Sequence, residues 1–338
     1  MISSDSSTNQ SSTSAVVAKG HLSGGPITMA SPFRSVGVVG LGHMGNAFAL
    51  NLVAGGYRIL AYDRDPAHVE TLRRAGAEGA SSLADLSACD AVLTSLPDDE
   101  ALTAVALHPE GLAHVMRPGA VHISMSTVSP DLSRLLVAEH EARGQGYVAA
   151  PVLGNPDLAR ARHLFVLAAG RPAALEQTRP LLERLGQRVF VVGEDAAAAN
   201  LMKLAGNVLT ATTLQSMGEI LALLRKGGID PHVAFDVLTN SLFDSKVHRT
   251  YGGKIVDERY SRAGMAVPLA IKDLRLALAE AEHEDVPMPT ASLVRDRLVG
   301  LAAGGWAELD WSALGLLAAR DAGLSTSFTV GHAAARQP

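Results

Sequence analysis

The stretch VGVVGLGHMGNAFALNLVAGGY, Val36 to Tyr57, packs six glycines into 22 residues and sets three of them at Gly40, Gly42 and Gly45. A strand-like run, SVGVV, leads into it. A helical run, Met44–Ala54, follows, with Gly55 and Gly56 placed to end it. Between the two, Gly40 permits a tight turn. Gly42 removes the Cβ that would block a pyrophosphate, and Gly45 lets the helix lie close on the strand. The amides freed at the helix start then face an anion. A GxGxxG alone is equally served by a purely structural turn. Here it sits in a strand–turn–helix frame, and Asp63 in ILAYDRDP follows 18 residues after Gly45, near the ~20 expected of a dinucleotide site.

The alternation continues. Strand-like runs read YRILAY, AVLTSL and AVHISM, and helical stretches follow at Ala67–Ala75, Glu100–Leu107 and Asp131–Arg143. Continuous apolar strands separated by helices predict a doubly wound α/β parallel sheet covered on both faces. YVAAPV, HLFVLAAG and, after a helix at Pro172–Leu185, RVFVVG add further strands. The character then changes. From Ala196 to Lys226 there is no proline, which predicts one helix of about 30 residues, roughly 45 Å long. Helical stretches at Pro231–Leu238, Pro268–Glu282, Ala291–Leu301 and Ser312–Ala322 follow, separated by KGGIDP and DVPMP. The expected organisation is a disordered extension over 1–34, a Rossmann domain over 35–194, an all-α domain over 195–322 joined through the long helix, and a disordered tail over 323–338.

Composition narrows the function classes. With 29 Lys+Arg against 34 Asp+Glu, the net charge is −5 and no basic run exists, which argues against nucleic acid. No apolar run approaches the ~18–20 residues of a membrane span. The twelve histidines show no HExxH and no Cys/His spacing, so no metal site is inferred. The lone Cys89, beside an apolar strand, reads as a reduced structural thiol in the cytoplasm. MISSDSSTNQSSTS cannot bury enough apolar surface to order itself. It lacks the features of a secretory signal, and Met29 is an alternative start.

Two residue pairs bear on chemistry. Asp63 can accept both ribose hydroxyls of NAD and would repel the 2′-phosphate of NADP. Arg64 beside it could stack on adenine or grip that phosphate, so the expectation of NAD(P) leans to NAD. In NLMKLAGNVLTA, Lys203 and Asn207 are four residues apart and share a helix face, about 5–6 Å apart at Cβ. If that face is buried, desolvation lowers the amine's pKa, and a nearby cation lowers it further. Acid–base work needs a value near 7–8 rather than ~10.4, a shift that corresponds to roughly 4 kcal/mol. Asn207 could hold a substrate oxygen or orient the amine. The alternative is a surface lysine whose stem snorkels over an apolar stripe.

Taken together, GLGHMGNAFALNLVAGGY, STVSP (Ser126–Pro130), APVLGNPD, KLAGN and IKDLRLALAEA resemble the β-hydroxyacid dehydrogenase family over about Val36 to Leu317. Its members include 3-hydroxyisobutyrate dehydrogenase, tartronate semialdehyde reductase and glyoxylate/succinic semialdehyde reductases. The resemblance implies hydride transfer between NAD(P) and a hydroxyl carbon of a small molecule, with Lys203 as general acid/base and Asn207 as its partner. It implies that Ser126 and Thr127 line the nicotinamide side, and that Lys272 and Asp273 reach the site from the helical domain. The cofactor set becomes Gly40, Gly42, His43, Met44, Gly45, Asp63, Arg64, Leu96, Pro97, Ser126, Thr127 and Lys272. The substrate set becomes Ser126, Leu153, Gly154, Asn155 and Asp273. For Asp273 the alternative is a solvated helix charge or a salt bridge to Lys272 or Arg275. A homodimer is expected, because one copy leaves apolar faces of the long helix and its neighbours uncovered.

The chain departs from the family at its substrate loop, usually D-A-P-V-S-G-G with amides and a hydroxyl for a carboxylate. Here it reads AAPVLGN: Ala149 replaces the acid, Leu153 the serine, and Gly154-Asn155 the glycine pair. A buried carboxylate without its donors costs several kcal/mol. Either the substrate is bulkier or less acidic than a small 3-hydroxy acid, or another group, Arg160 or Arg162, holds its anion; such arginines are more often a solvated face. Three rival readings remain at this point. A 6-phosphogluconate dehydrogenase is disfavoured by Gly206 before Asn207 and by a short helical part. An imine reductase is disfavoured by Lys203 and favoured by the apolar loop. A non-catalytic cofactor-binding protein would tend to have lost the lysine.

Overall fold

The computed structural model describes residues 33–261 and 264–327. The expected N-terminal extension lies outside the described residues except for its last two positions. The expected tail is described as far as Ser327, which bonds to Glu258, while the Leu324 amide closes on Ala319.

The strands are β1 (Ser35–Val39), β2 (Arg58–Tyr62), β3 (Glu78–Gly79), β4 (Ala91–Thr94), β5 (Val121–Ser124), β6 (Gly146–Ala149), β7 (Val152–Leu153), β8 (Leu164–Gly170) and β9 (Gly186–Gly193). Among the described residues they form one sheet in the order β3-β2-β1-β4-β5-β6-β8-β7, with β9 also paired to β8. Strands β4 and β5 are buried at every position, as expected for strands covered on both faces. The expectation of parallel pairing holds from β3 across to β6. There the sheet turns mixed, because β8 runs antiparallel to both β6 and β7. The connection from β6 to β8 holds only a short strand and a five-residue helix, too little for a crossover back to the same edge.

Helices α1 (His43–Ala54), α2 (Pro66–Arg74), α3 (Asp99–Leu107), α4 (Leu112–Val115), α5 (Pro130–Glu141), α6 (Pro156–Arg160) and α7 (Pro172–Leu185) link these strands. Several start on a polar cap followed by proline at the first turn: Asp65 accepts from Ala67 N, Ser129 from Leu132 N and Asn155 from Leu158 N. The helical part follows as α8 (Ala197–Lys226), α9 (Pro231–Thr239), α10 (Lys246–Val256), α11 (Val267–His283), α12 (Pro289–Leu301) and α13 (Leu314–Asp321). The long helix forms as expected. Helix α10 was not foreseen, since Gly252 and Gly253 lie inside it.

Two cores organise the molecule. One packs Val36, Val38, Phe48 and Leu52 against Leu93, Ile123 and Leu182. The other gathers Leu204, Leu214, Leu274, Val294, Leu298 and Trp311 around α8 and α11. Polar ties cross from the helical part to the α/β part. Asn200 Nδ2 donates to Ser133 Oγ at 2.6 Å, and the buried Glu280 accepts from Arg134 at 2.9 Å. Strand order reverses between β1 and β4, the kind of switch point outside whose carboxyl ends sheets of this type form a ligand crevice.

Candidate active site

The three glycines after β1 do three different jobs. Gly40 takes φ +83°, and a Cβ there would meet Ser95 O at 2.5 Å. A Cβ at Gly45 would lie 1.8 Å from Gly40 O, so the helix start and the turn can meet only through hydrogen. A Cβ at Gly42 would meet nothing within 4 Å. That open space lies at the N-cap of α1, where no side chain caps the helix and no acid occupies the first turn. Unsatisfied amides, the positive helix end and open space together fit a pyrophosphate.

Asp63, at the end of β2, reaches back to this turn. Its Oδ2 accepts from Leu41 N at 2.6 Å and its Oδ1 from Asp65 N at 2.8 Å. Partial burial pushes its carboxyl up, but these two amides and His68 outweigh that and hold it below the usual carboxylate range. Oδ2, with Leu41 N as its one donor, keeps a lone pair for a ribose hydroxyl. His43 and Arg64 are exposed, and Met44 is half-buried against the α/β core.

The loops after β4 and β5 complete the crevice. Ser126, only 3% exposed, accepts from Leu96 N at 2.9 Å, which leaves its hydroxyl hydrogen free to donate elsewhere. Pro97 and Thr127 contribute their carbonyls, which receive the Lys272 ammonium at 3.0 and 2.5 Å. Lys272 and Asp273 sit on α11, so one lysine ties that helix to both strand ends.

From there a chain of polar contacts leads to Lys203. The Lys272 ammonium lies 3.0 Å from Asp273 Oδ1, an ion pair out of hydrogen-bond alignment. Asp273 Oδ2 accepts from Asn207 Nδ2 at 2.5 Å, and Asn207 Oδ1 accepts from Lys203 Nζ at 3.0 Å. Lys203, Asn207 and Asp273 are 6%, 5% and 2% exposed. The snorkelling alternative is therefore removed. Burial lowers the Lys203 amine to a pKa of about 8; Asp273 opposes the shift and the Lys272 cation adds to it.

Leu153 stands against the same turn of α8. A Cβ at Gly206, between Lys203 and Asn207, would lie 2.9 Å from Leu153 Cδ2. Gly154 takes φ +141°, and the Asn155 Oδ1 is committed to Leu158 N as the cap of α6. Arg160 pairs with Asp157, and Arg162 donates to Arg184 O. The residues thus fall into a glycine-turn group (Gly40, Gly42, Gly45, Asp63) and an amine group (Lys203, Asn207, Asp273, Lys272). Leu96, Pro97, Ser126 and Thr127 lie on the loops that join them. The backbone carbonyls of Pro97 and Thr127 act as anchors that no side-chain pattern could announce.

A dinucleotide cradle beside a buried amine of lowered basicity defines the class of nicotinamide-dependent oxidoreductases. Residues 35–193 match the NAD binding domain of 6-phosphogluconate dehydrogenase, and residues 197–317 match the NAD-binding part of NADP-dependent 3-hydroxyisobutyrate dehydrogenase. An uncharacterised oxidoreductase of Bacillus subtilis is 35% identical over 82% of this chain and 98% of its own. The 3-hydroxyisobutyrate dehydrogenase of Pseudomonas aeruginosa is 31% identical over 82% and 96%. The solved 3-hydroxyisobutyrate dehydrogenase of Mycobacterium tuberculosis superposes with a TM-score of 0.77 at 26% identity, covering 84% of this chain and 98% of that one. The chain belongs to the β-hydroxyacid dehydrogenase family and is an NAD(P)-dependent oxidoreductase acting on CH–OH groups. An imine reductase of Myxococcus stipitatus is more distant, with a TM-score of 0.58 at 22% identity, and shares the fold alone.

Proposed function

We propose that Lys203 carries the proton in this reaction, with residues 35–194 holding the dinucleotide and 195–322 closing over the substrate. A dinucleotide whose pyrophosphate is held over Gly40–Gly45 would supply or accept hydride at the substrate carbon. In reduction the Lys203 ammonium donates its proton to the carbonyl oxygen; in oxidation the neutral amine takes the proton of the hydroxyl. Asn207 Oδ1 fixes the amine, and the Ser126 hydroxyl is free to donate to the substrate. The observation that carries this reading is the buried Lys203 Nζ held 3.0 Å from Asn207 Oδ1. Lys203→Met should lower kcat about 10²–10⁴-fold and leave cofactor affinity nearly unchanged; an unaltered kcat removes the residue from the mechanism.

The preferred substrate is a bulkier aldehyde, ketone or longer hydroxy acid. Leu153 lining the amine's helix turn supports this, as do Arg160 and Arg162 being engaged elsewhere. Turnover of 3-hydroxyisobutyrate, tartronate semialdehyde and phenylacetaldehyde compares the classes, and best activity on the two small acids overturns the reading. Adding a cyclic imine tests the C=N alternative. The Asp63 carboxylate supports NAD over NADP, a preference that kcat/KM with both cofactors decides. The buried Cys89 thiol, pushed up to about 11 by desolvation, supports a reducing, cytoplasmic setting. A homodimer is supported by the exposed apolar side chains of Met202, Leu209, Ile220 and Leu223 along α8.

A further inference from the structure

We infer that Asp273, held between Lys272 and Asn207, is a positioning residue that sets the direction in which the Asn207 amide meets Lys203. The inference rests on the reading of Lys203 as the proton carrier. The Asn207 side chain has two unlike ends, one donating and one accepting. Asp273 Oδ2, an ionised oxygen that only accepts, stands 2.5 Å from one end, which must therefore be Nδ2. The other end is then Oδ1, facing the amine at 3.0 Å. Turned the other way, the amide would set oxygen against carboxylate and N–H against ammonium. A carboxylate on α11 thus decides how an amide on α8 meets the catalytic amine.

The same two neighbours pull the amine's basicity apart. Asp273, one amide away from Lys203, favours the ammonium, and Lys272, 3.0 Å from Asp273 Oδ1, disfavours it. Leu153, which stands against the same turn from β7, is apolar. Lys272 cannot swing away freely, because it is held on the carbonyls of Pro97 and Thr127. Asp273 is 2% exposed, with Oδ2 on Asn207 and Oδ1 3.0 Å from the Lys272 ammonium.

The test titrates the full chain carrying 13Cε-labelled lysine. The chain has six lysines, few enough to resolve, and Lys203→Met identifies the signal. Asp273→Asn keeps an acceptor for Asn207 but removes the charge, so the Lys203 midpoint should fall by about one pH unit. Lys272→Met should raise it by about one unit. Asp273→Ala should share the downward shift and lose more kcat than Asp273→Asn, because the amide is then free to turn. Midpoints that move in the same direction in Asp273→Asn and Lys272→Met, or that do not move in variants folded by circular dichroism, overturn the inference. If the midpoints move as expected while kcat/KM for 3-hydroxyisobutyrate and phenylacetaldehyde ignores them, the positioning role stands and the proton-carrier reading falls.

Discussion

A lysine kept out of water works at a cost, and the sign of that cost is measurable. With the Lys203 amine lowered from 10.5 to about 8, folded and unfolded chains are both protonated below pH 8, and the fold bears a penalty of about 3 kcal/mol there. The penalty shrinks between pH 8 and 10.5 as the native amine gives up its proton first. Lys203→Met should accordingly be more stable than the parent at pH 7, with the gap closing toward pH 10.5; urea unfolding at both pH values checks it. Activity should split by direction: oxidation rises with pH through about 8 and reduction falls, and parallel profiles would contradict a single acid–base group. The pair Lys203–Asn207 was legible because four residues on a helix make neighbours. Asp273 was placed in the site only by the family resemblance, and its contact with Asn207 was not legible, because it joins positions 66 apart. Equally hidden was the buried series Thr94–His122–His140–Gln145, bonded at 3.0, 2.8 and 2.6 Å. Gln145 Nε2 gives its hydrogens to Ala113 O and Met116 O, so its oxygen must accept from His140. Desolvation holds His140 at about 4 and His122 well below its ordinary value. Unfolded histidine takes up its proton first as pH falls, so stability should drop by about 2 kcal/mol from His140 between pH 6.5 and 5. Equal stability at pH 7 and 5 would refute it.

At the scale of elements, regular pattern was readable and its interruptions were not. Strand β1, the glycine turn and α1 announce themselves because each glycine answers a separate steric demand. Gly45→Ala would force a methyl into Gly40 O, so it should displace the start of α1 and weaken NAD(P) binding at least tenfold, read by fluorescence titration. Binding within twofold of the parent would show that the turn yields. By propensity α10 looks like a loop, since two adjacent glycines disfavour a helix. The fold overrides this through tertiary contact: Gly252 is buried against Met217 of α8 and Phe235 of α9, which a Cβ there would meet at 2.3 and 2.8 Å. The reversal of β8 escaped for another reason. A buried strand reads the same in either direction, and only the length of its connection tells them apart.

At the scale of the whole molecule, family membership and the order of α/β and helical parts were legible from motifs spread along the chain, whereas the contact of Leu153 with the Gly206 turn was not, because the two meet only in the fold. Among the described residues no helix is long and apolar enough to cross a membrane. The uncovered side chains of α8 need another explanation: Leu209 and Leu223 are 69% and 65% exposed. If a second copy covers them, Leu209→Glu with Leu223→Glu should convert a dimeric mass to a monomeric one at micromolar concentration, as light scattering would read. A parent already monomeric would dispose of the idea. The 30-residue helix that bears this stripe also carries Lys203 in its second turn. On the proposed mechanism, a partner that covers this stripe packs on the same element that holds the proton carrier.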